Sequence, residues 1–406
     1  MRADRSNSGN DNAPHEISAL SYHPPRQIIP LVSEPAELEF YAVMAAIPTP
    51  RRVRQLRWQA LPLCVMLWRM THCPEYNTAV PRDSNRNRGQ FAAAVVANTN
   101  ICREHFLLTL RVADFPPSRP GQFVQVLCPP PDTASGRPSD PAVSAEPEVQ
   151  ELHWEPGTLP PRFHDPYLLE PEPYLRRPFS IAGRRDDMVN HCCDIDLIYR
   201  VIGKATGRMA TLATDDCISI LGPLGNEFPV PDAMTTAFLV GGGVGIPPMI
   251  YLAEKFQRLG IKAVAFIGAQ KADLIPLRIT GDVGTKPTSN VREFADFETQ
   301  TVVATDDGSL GNKGFVTQVL EQFCTKNPDP GAVVFCCGPT PMMRATALVA
   351  ARLKLPCYAS LEQPMACGMG TCQSCVIKYR SVNAPDWVYK LTCKDGPVFN
   401  TTDILW

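Results

Sequence analysis

Four cysteines near the C-terminus constrain this 406-residue chain more than any other feature. Residues 367 to 375 read Cys-Gly-Met-Gly-Thr-Cys-Gln-Ser-Cys, and Cys393 lies well downstream. Spacings of four residues, then two, then a distant fourth cysteine are those of a plant-type [2Fe–2S] site. Two irons need four thiolates, so Cys367, Cys372 and Cys375 would come from one tight loop and Cys393 from a returning hairpin. Gly368 and Gly370 admit the turns such a loop needs. Neighbouring N–H groups can then point at the sulfurs and tune the potential. A zinc site or unrelated thiols are the alternatives. Zinc sets more often pair Cys-x2-Cys or mix in histidine, and no histidine follows His191. The adjacent pairs Cys192-Cys193 and Cys336-Cys337 are not expected to be ligand sets, because neighbours on a strand face opposite ways. The pattern therefore predicts one-electron transfer.

The length suggests two or three domains with ample core. A formal net charge of -2 gives no reason to expect nucleic acid or an anionic membrane as partner. Fifteen cysteines, an odd number in a long chain, do not read as a disulfide framework. Met1 to Asn12 is polar and shows no apolar stretch of the secretory kind. The nearest apolar run, Leu61 to Trp68, falls short of the ~20 residues a bilayer span needs. No membrane span and a reducing cytoplasm are expected, where clustered cysteines bind metal and scattered ones pack as small hydrophobes.

Residues 1–88 are rich in Asn, Ser, Arg and Pro and are expected to form a disordered extension. Short strand-like runs follow at Phe91 to Ala97, Phe106 to Val112, Phe123 to Leu127, Phe179 to Ala182, Ile195 to Val201 and Cys217 to Leu221. Their spacing predicts an antiparallel β-barrel over 89–232, interrupted by a Pro-rich surface insertion at 129–173. From about Thr235 short apolar strands alternate with helical stretches, which predicts a parallel α/β domain over 233–356, its pattern ending near Leu355. Residues 357–406 form the cysteine-rich segment. The expected fold class is thus multi-domain α+β.

Two further constellations carry chemistry. Gly241-Gly242-Gly243-Val244-Gly245 stands between a strand and a helix opening at Pro247. Glycines let a pyrophosphate approach the backbone, and a helix N-terminus favours its charge. The strict Rossmann fingerprint fails at Ile246, so a tight turn without a ligand remains an alternative. Cys337-Gly338-Pro339 would lie at the same carboxyl edge of the sheet, where such sheets bind ligands. In the barrel, Arg177-Pro178-Phe179-Ser180 opens a strand, Ile198-Tyr199-Arg200 lies on another, and Gly203-Lys204-Ala205-Thr206-Gly207 precedes an expected helix. Arginine offers a fork for phosphate, tyrosine a plane for a flavin, and serine a short hydrogen-bond partner. Read alone, these are also ordinary structural residues.

In order along the chain, these features resemble ferredoxin–NADP reductase-like flavoproteins with a Greek-key barrel. With the cysteine segment at the C-terminus, the chain is similar to the family of electron transfer subunits of NAD-dependent (type B) dihydroorotate dehydrogenases. The residues that carry the resemblance are Pro120-Gly121-Gln122-Phe123, Leu175 to Ile181, Ile198 to Val201, Leu221-Gly222-Pro223-Leu224-Gly225-Asn226, Thr305-Asp306-Asp307-Gly308-Ser309, Met365 to Cys372 and Cys393 to Phe399. The resemblance implies FAD held by Arg177, Pro178, Phe179, Ser180, Ile198, Tyr199, Arg200, Ala205 and Thr206. It implies NAD as substrate at Gly241, Gly242, Gly243, Gly245, Cys337, Gly338 and Pro339. It also implies a cluster on the four cysteines, an FMN-bearing catalytic partner subunit, a heterotetramer and a place in pyrimidine (UMP) biosynthesis, with no residue of this chain touching dihydroorotate. Ala205 departs from the glycine common before the threonine, and the N-terminal extension and the insertion are unusual for the family. Alternatives are the corresponding subunit of a ferredoxin:NADP oxidoreductase or sulfide dehydrogenase, or a scaffold that has lost its flavin. Gln270 and Lys271, after the strand Ala263 to Ile267, do not by themselves decide between NAD and NADP.

Overall fold

The structure, a computed structural model, describes residues 88–128, 175–381 and 387–406. Nearly all of the expected N-terminal extension and the whole of the Pro-rich insertion lie outside the described residues. The first six strands are β1 (Gly89–Cys102), β2 (His105–Ala113), β3 (Phe123–Leu127), β4 (Arg177–Asp187), β5 (Cys192–Arg200) and β6 (Cys217–Leu224). They close into an antiparallel barrel in the order β1-β2-β5-β4-β3-β6, a Greek-key arrangement. Alternation explains the closure. Val95, Leu108, Leu110, Val112, Val124, Val126, Ile195, Leu197, Ile218 and Ile220 form one buried cluster, and the residues between them point outward. The helix α1 (Lys204–Met209) follows β5.

The second sheet is built on β7 (Thr236–Gly242), β8 (Lys262–Ala269), β9 (Gln300–Thr305), β10 (Asn312–Lys313), β11 (Ala332–Cys337) and β12 (Cys357–Ser360). All six are parallel. Every residue of β7 is buried, because helices cover both faces. Ala237 and Leu239 pack to one side and Phe238 and Val240 to the other. The helices are α2 (Ile246–Arg258), α3 (Arg292–Ala295), α4 (Val316–Lys326) and α5 (Thr340–Arg352). Pro247 sits in the first turn of α2, where its missing N–H costs nothing. Cys336 and Cys337 fall on opposite faces of the sheet, each in its own core cluster.

The cysteine-rich segment adds a hairpin of β13 (Val376–Tyr379) and β14 (Val388–Leu391), then β15 (Val398–Asn400). β15 pairs antiparallel with β12 and becomes an edge of the α/β sheet, whose order is β10-β9-β8-β7-β11-β12-β15. The sheet therefore runs past Leu355. The alternating pattern fades there only because β12 is four residues long and is followed by no helix.

Segments that carry the resemblance without touching the expected ligand sites meet at one joint. Asn226, just after β6, donates through Nδ2 to the Val398 carbonyl and accepts the Val398 N–H through Oδ1, both at 2.9 Å. Asn226 N–H donates to Gly396 O at 2.7 Å. A Cβ on Gly225 would come within 2.5 Å of Pro397. Barrel, sheet edge and cysteine segment are pinned together at this point.

Candidate functional site

A single open cavity of about 1570 Å³ runs between the barrel, the α/β sheet and the cysteine segment. It exceeds the about 300–1,000 Å³ of an ordinary small-molecule pocket. All nine barrel residues expected at a flavin line it: Arg177, Pro178, Phe179, Ser180, Ile198, Tyr199, Arg200, Ala205 and Thr206. So do Gly242, Gly243, Cys337 and Pro339 from the sheet, and Met365, Ala366 and Ser374 from the cysteine loop. Gly241, Gly245 and Gly338 do not line it.

On the barrel side, β4 presents Phe179 half-buried at the wall. Tyr199 does not offer the stacking plane expected of it. It is 1% exposed, with its ring stacked on Phe106 at 5.7 Å and edge-on to Phe179 at 6.0 Å. Its hydroxyl donates to Asn98 Oδ1 at 3.1 Å, and burial holds its pKa well above the ordinary tyrosine value. Tyr199 thus braces Phe179, whose half-buried ring lines the cavity. Thr206 is also engaged, since its hydroxyl accepts the N–H groups of Ile202 and Gly203 at 3.0 and 3.2 Å. Arg200 pairs with Glu104, whose carboxyl it holds below the usual range. Ile202, 81% exposed, leaves apolar surface facing the cavity, as do Phe315 and Leu175.

The glycine turn divides into two kinds of position. Gly243 adopts φ +55° and has open space where a Cβ would be. At Gly245 a Cβ would lie 2.2 Å from the Cys337 carbonyl carbon and oxygen. Gly245 is there so that two strand-to-helix turns can touch, whereas Gly243 leaves backbone free for a ligand.

The cysteines form two pairs. Cys372 N–H donates to Cys367 Sγ at 3.4 Å. Cys393 N–H donates to Cys375 Sγ at 3.4 Å. Among the described residues no three His, Cys, Asp or Glu side chains converge as a single metal ion would require. A two-plus-two arrangement is what two irons sharing four thiolates ask for. Gly368 and Gly370 take φ +68° and +92°, as the loop reading expects. The pairs differ in setting. Cys375 and Cys393 are buried with Phe123 and Leu224, while Cys372 is exposed. A hydrogen bond from Ser374 is the main reason the Cys372 thiol is lowered to about 6, and burial is the main reason Cys393 is raised to about 12.

Three residues at the site were not singled out from the sequence. His105 lines the cavity, Gln125 lies under the cysteine loop, and Asp306 reaches the cavity from the end of β9. Asp306 stood in a segment that carried the resemblance, so its signal was present. Gln125 stands at an outward position of a barrel strand, where a polar residue is ordinary, so the sequence does not mark it. Nothing in the sequence marks His105.

Comparison with known proteins identifies the family. The model for the iron–sulfur cluster binding domain of dihydroorotate dehydrogenase B matches residues 362–405, and that for an oxidoreductase NAD-binding domain matches 239–347. A dihydroorotate dehydrogenase B (NAD+) electron transfer subunit from Bacillus caldolyticus is 37% identical over 260 residues, covering 63% of this chain and 89% of the relative. The chain belongs to this family. A second member, from Fusobacterium nucleatum subsp. nucleatum, is 35% identical over 237 residues, covering 57% of this chain and 81% of its own. Among solved structures, the NADH-dependent reduced ferredoxin–NADP oxidoreductase superposes with TM-score 0.55 at 24% identity, covering 77% of this chain and 90% of that one. That likeness bears on the fold alone. The matched models name an iron–sulfur cluster and NAD as the groups such domains bind. The residues fit them: a wide cavity with exposed apolar walls, an open glycine turn and two thiol pairs. No helix among the described residues is long and apolar enough to cross a membrane.

Proposed function

We propose that this chain is the electron transfer subunit of an NAD-linked dihydroorotate dehydrogenase in pyrimidine (UMP) biosynthesis. It would pass electrons from the FMN of a catalytic partner, through the [2Fe–2S] cluster and FAD, to NAD+. When bound, FAD supplies the exchange between single electrons and hydride. The observation that carries the reading is the continuity of one cavity from the glycine turn, past the barrel strands, to the cysteine loop.

The chain's own residues then have separable tasks. Phe179, braced by Tyr199, would offer its ring to a bound flavin, and Ser180, Arg177 and Arg200 would supply hydrogen bonds and positive charge to hold it. Ala205 and Thr206 shape the first turn of α1 beneath them. The backbone at Gly242, Gly243 and Cys337 to Pro339 positions nicotinamide, while Gly241 and Gly245 hold the turns together. Cys375 and Cys393, buried against Phe123, form the inward end of the cluster site. Cys367 and Cys372 form its outward end, and exposed Met369, Gln373 and Ser374 face the partner. Asp306 opposes the extra phosphate of NADP, so NADH should outcompete NADPH in a cofactor titration.

The family resemblance implies a heterotetramer of two catalytic and two electron-transfer chains. A reducing, cytoplasmic setting goes with this reading, because it keeps the four cluster thiols available as ligands. The test is co-expression with an FMN-containing dihydroorotate dehydrogenase chain. A stable complex that forms NADH from dihydroorotate is expected. A chain that purifies without flavin and iron, or a complex that makes no NADH, would sink the proposal.

A further inference from the structure

Gln125 sits at the centre of β3. Its neighbours Val124 and Val126 point into the barrel core, so Gln125 and Phe123 point outward. An outward glutamine on a barrel strand is ordinarily solvated. Gln125 is 0% exposed, because the cysteine segment lies over it. Neither Nε2 nor Oε1 of its amide has a hydrogen-bond partner. A Cβ built on Gly368, next to Cys367, would come within 2.6 Å of Gln125 Nε2. On the same outward face, Phe123 packs with the buried pair Cys375 and Cys393, and Leu221, the register partner of Gln125, joins that cluster.

A buried amide without partners costs about 1–3 kcal/mol for each unsatisfied group. Packing alone would be served better by leucine or methionine of similar volume. A ligand with acceptor atoms in the loop would give the Nε2–H donor the partner it lacks. The strand carries this donor from the flavin barrel to the underside of the loop that would wrap the cluster.

We propose that Gln125 is a positioning residue for the [2Fe–2S] cluster: its Nε2–H group donates to a sulfur of the occupied site. This rests on the cluster reading above. Hydrogen bonds to cluster sulfurs stabilise the more negative, reduced form and so raise the potential. Gln125 thereby holds the cluster easy enough to reduce by the partner, and ties the cluster's position to the strand that also borders the flavin cavity.

The test is an anaerobic redox titration of the purified full chain, followed by electron paramagnetic resonance. Gln125→Leu and Gln125→Met remove the donor and keep the volume. Both should retain flavin and iron while the cluster becomes harder to reduce, by about tenfold in the reduction equilibrium, or about 59 mV for one electron. Selective 15N labelling of glutamine side chains should add a nitrogen hyperfine coupling to the parent's reduced cluster, absent in either variant. An unchanged potential with no such coupling overturns the proposal, whether or not the variants are less stable. Should one variant fail to fold, the other and the hyperfine measurement on the parent still decide. A parent without any cluster signal would instead overturn the cluster reading itself.

Discussion

Gly243 and Gly245 lie in one turn and are glycine for different reasons, so alanine should affect them differently. Gly245→Ala drives a Cβ into the Cys337 backbone, which no side-chain rotation relieves. We expect a loss of about 3 kcal/mol, the upper end for overpacking, seen in urea unfolding together with weaker NADH binding. Gly243→Ala meets open space and only the left-handed backbone penalty of about 1 kcal/mol. His105 gives a pH prediction. Its Nδ1 contacts the Arg103 carbonyl at 2.8 Å and must be the protonated nitrogen, which leaves Nε2 buried as an unpartnered acceptor. Burial lowers its pKa from the ordinary 6.5. The unfolded chain therefore takes up the proton first as pH falls, and stability declines below pH 6.5 until the folded pKa is also passed. Thermal unfolding across that window should show a shallower decline in His105→Asn. Burial of this kind depends on which strands close over a residue, and no local pattern around His105 announces it.

At the scale of elements, the alternation of apolar residues in the barrel strands and the continuous apolar runs of the parallel strands were legible. Each records how many of a strand's faces are covered. The cysteine spacing was legible for a different reason, since loop chemistry is local and the glycines stand beside the thiols they serve. The outward face of β3 was not legible, because the cover over Gln125 comes from residues far along the chain. Nor was the burial of Tyr199, whose ring is enclosed by Phe106 and Phe179 from two other strands. The Asn226 joint was also hidden, although its residues were among those that carried the resemblance. Its two side-chain bonds to Val398 link β6 to β15. At about 1 kcal/mol each, Asn226→Ala should cost about 2 kcal/mol in urea unfolding. Iron should leave the variant faster than flavin does, because the barrel keeps its own closure.

For the whole molecule, two cofactor stations on separate elements imply that one can be removed without the other. Cys372 belongs to the exposed thiol pair and contributes nothing to the barrel core. Cys372→Ser should abolish the cluster's paramagnetic signal and dihydroorotate-driven NADH formation. NADH oxidation by a small soluble dye, which needs only flavin and nicotinamide sites, should persist. Losing both activities together would mean that the stations are not separable.

The seat of β15 has a consequence for the protein's fate as well as its chemistry. The α/β sheet ends in strands of two and three residues, β10 and β15, and such short edges offer little template for a foreign strand. One of those two guards is the last stretch of the segment that would hold iron. Oxidative loss of the metal that loosened this segment would uncover the pairing edge of β12. Damage to the redox centre would then open a route to self-association through that edge.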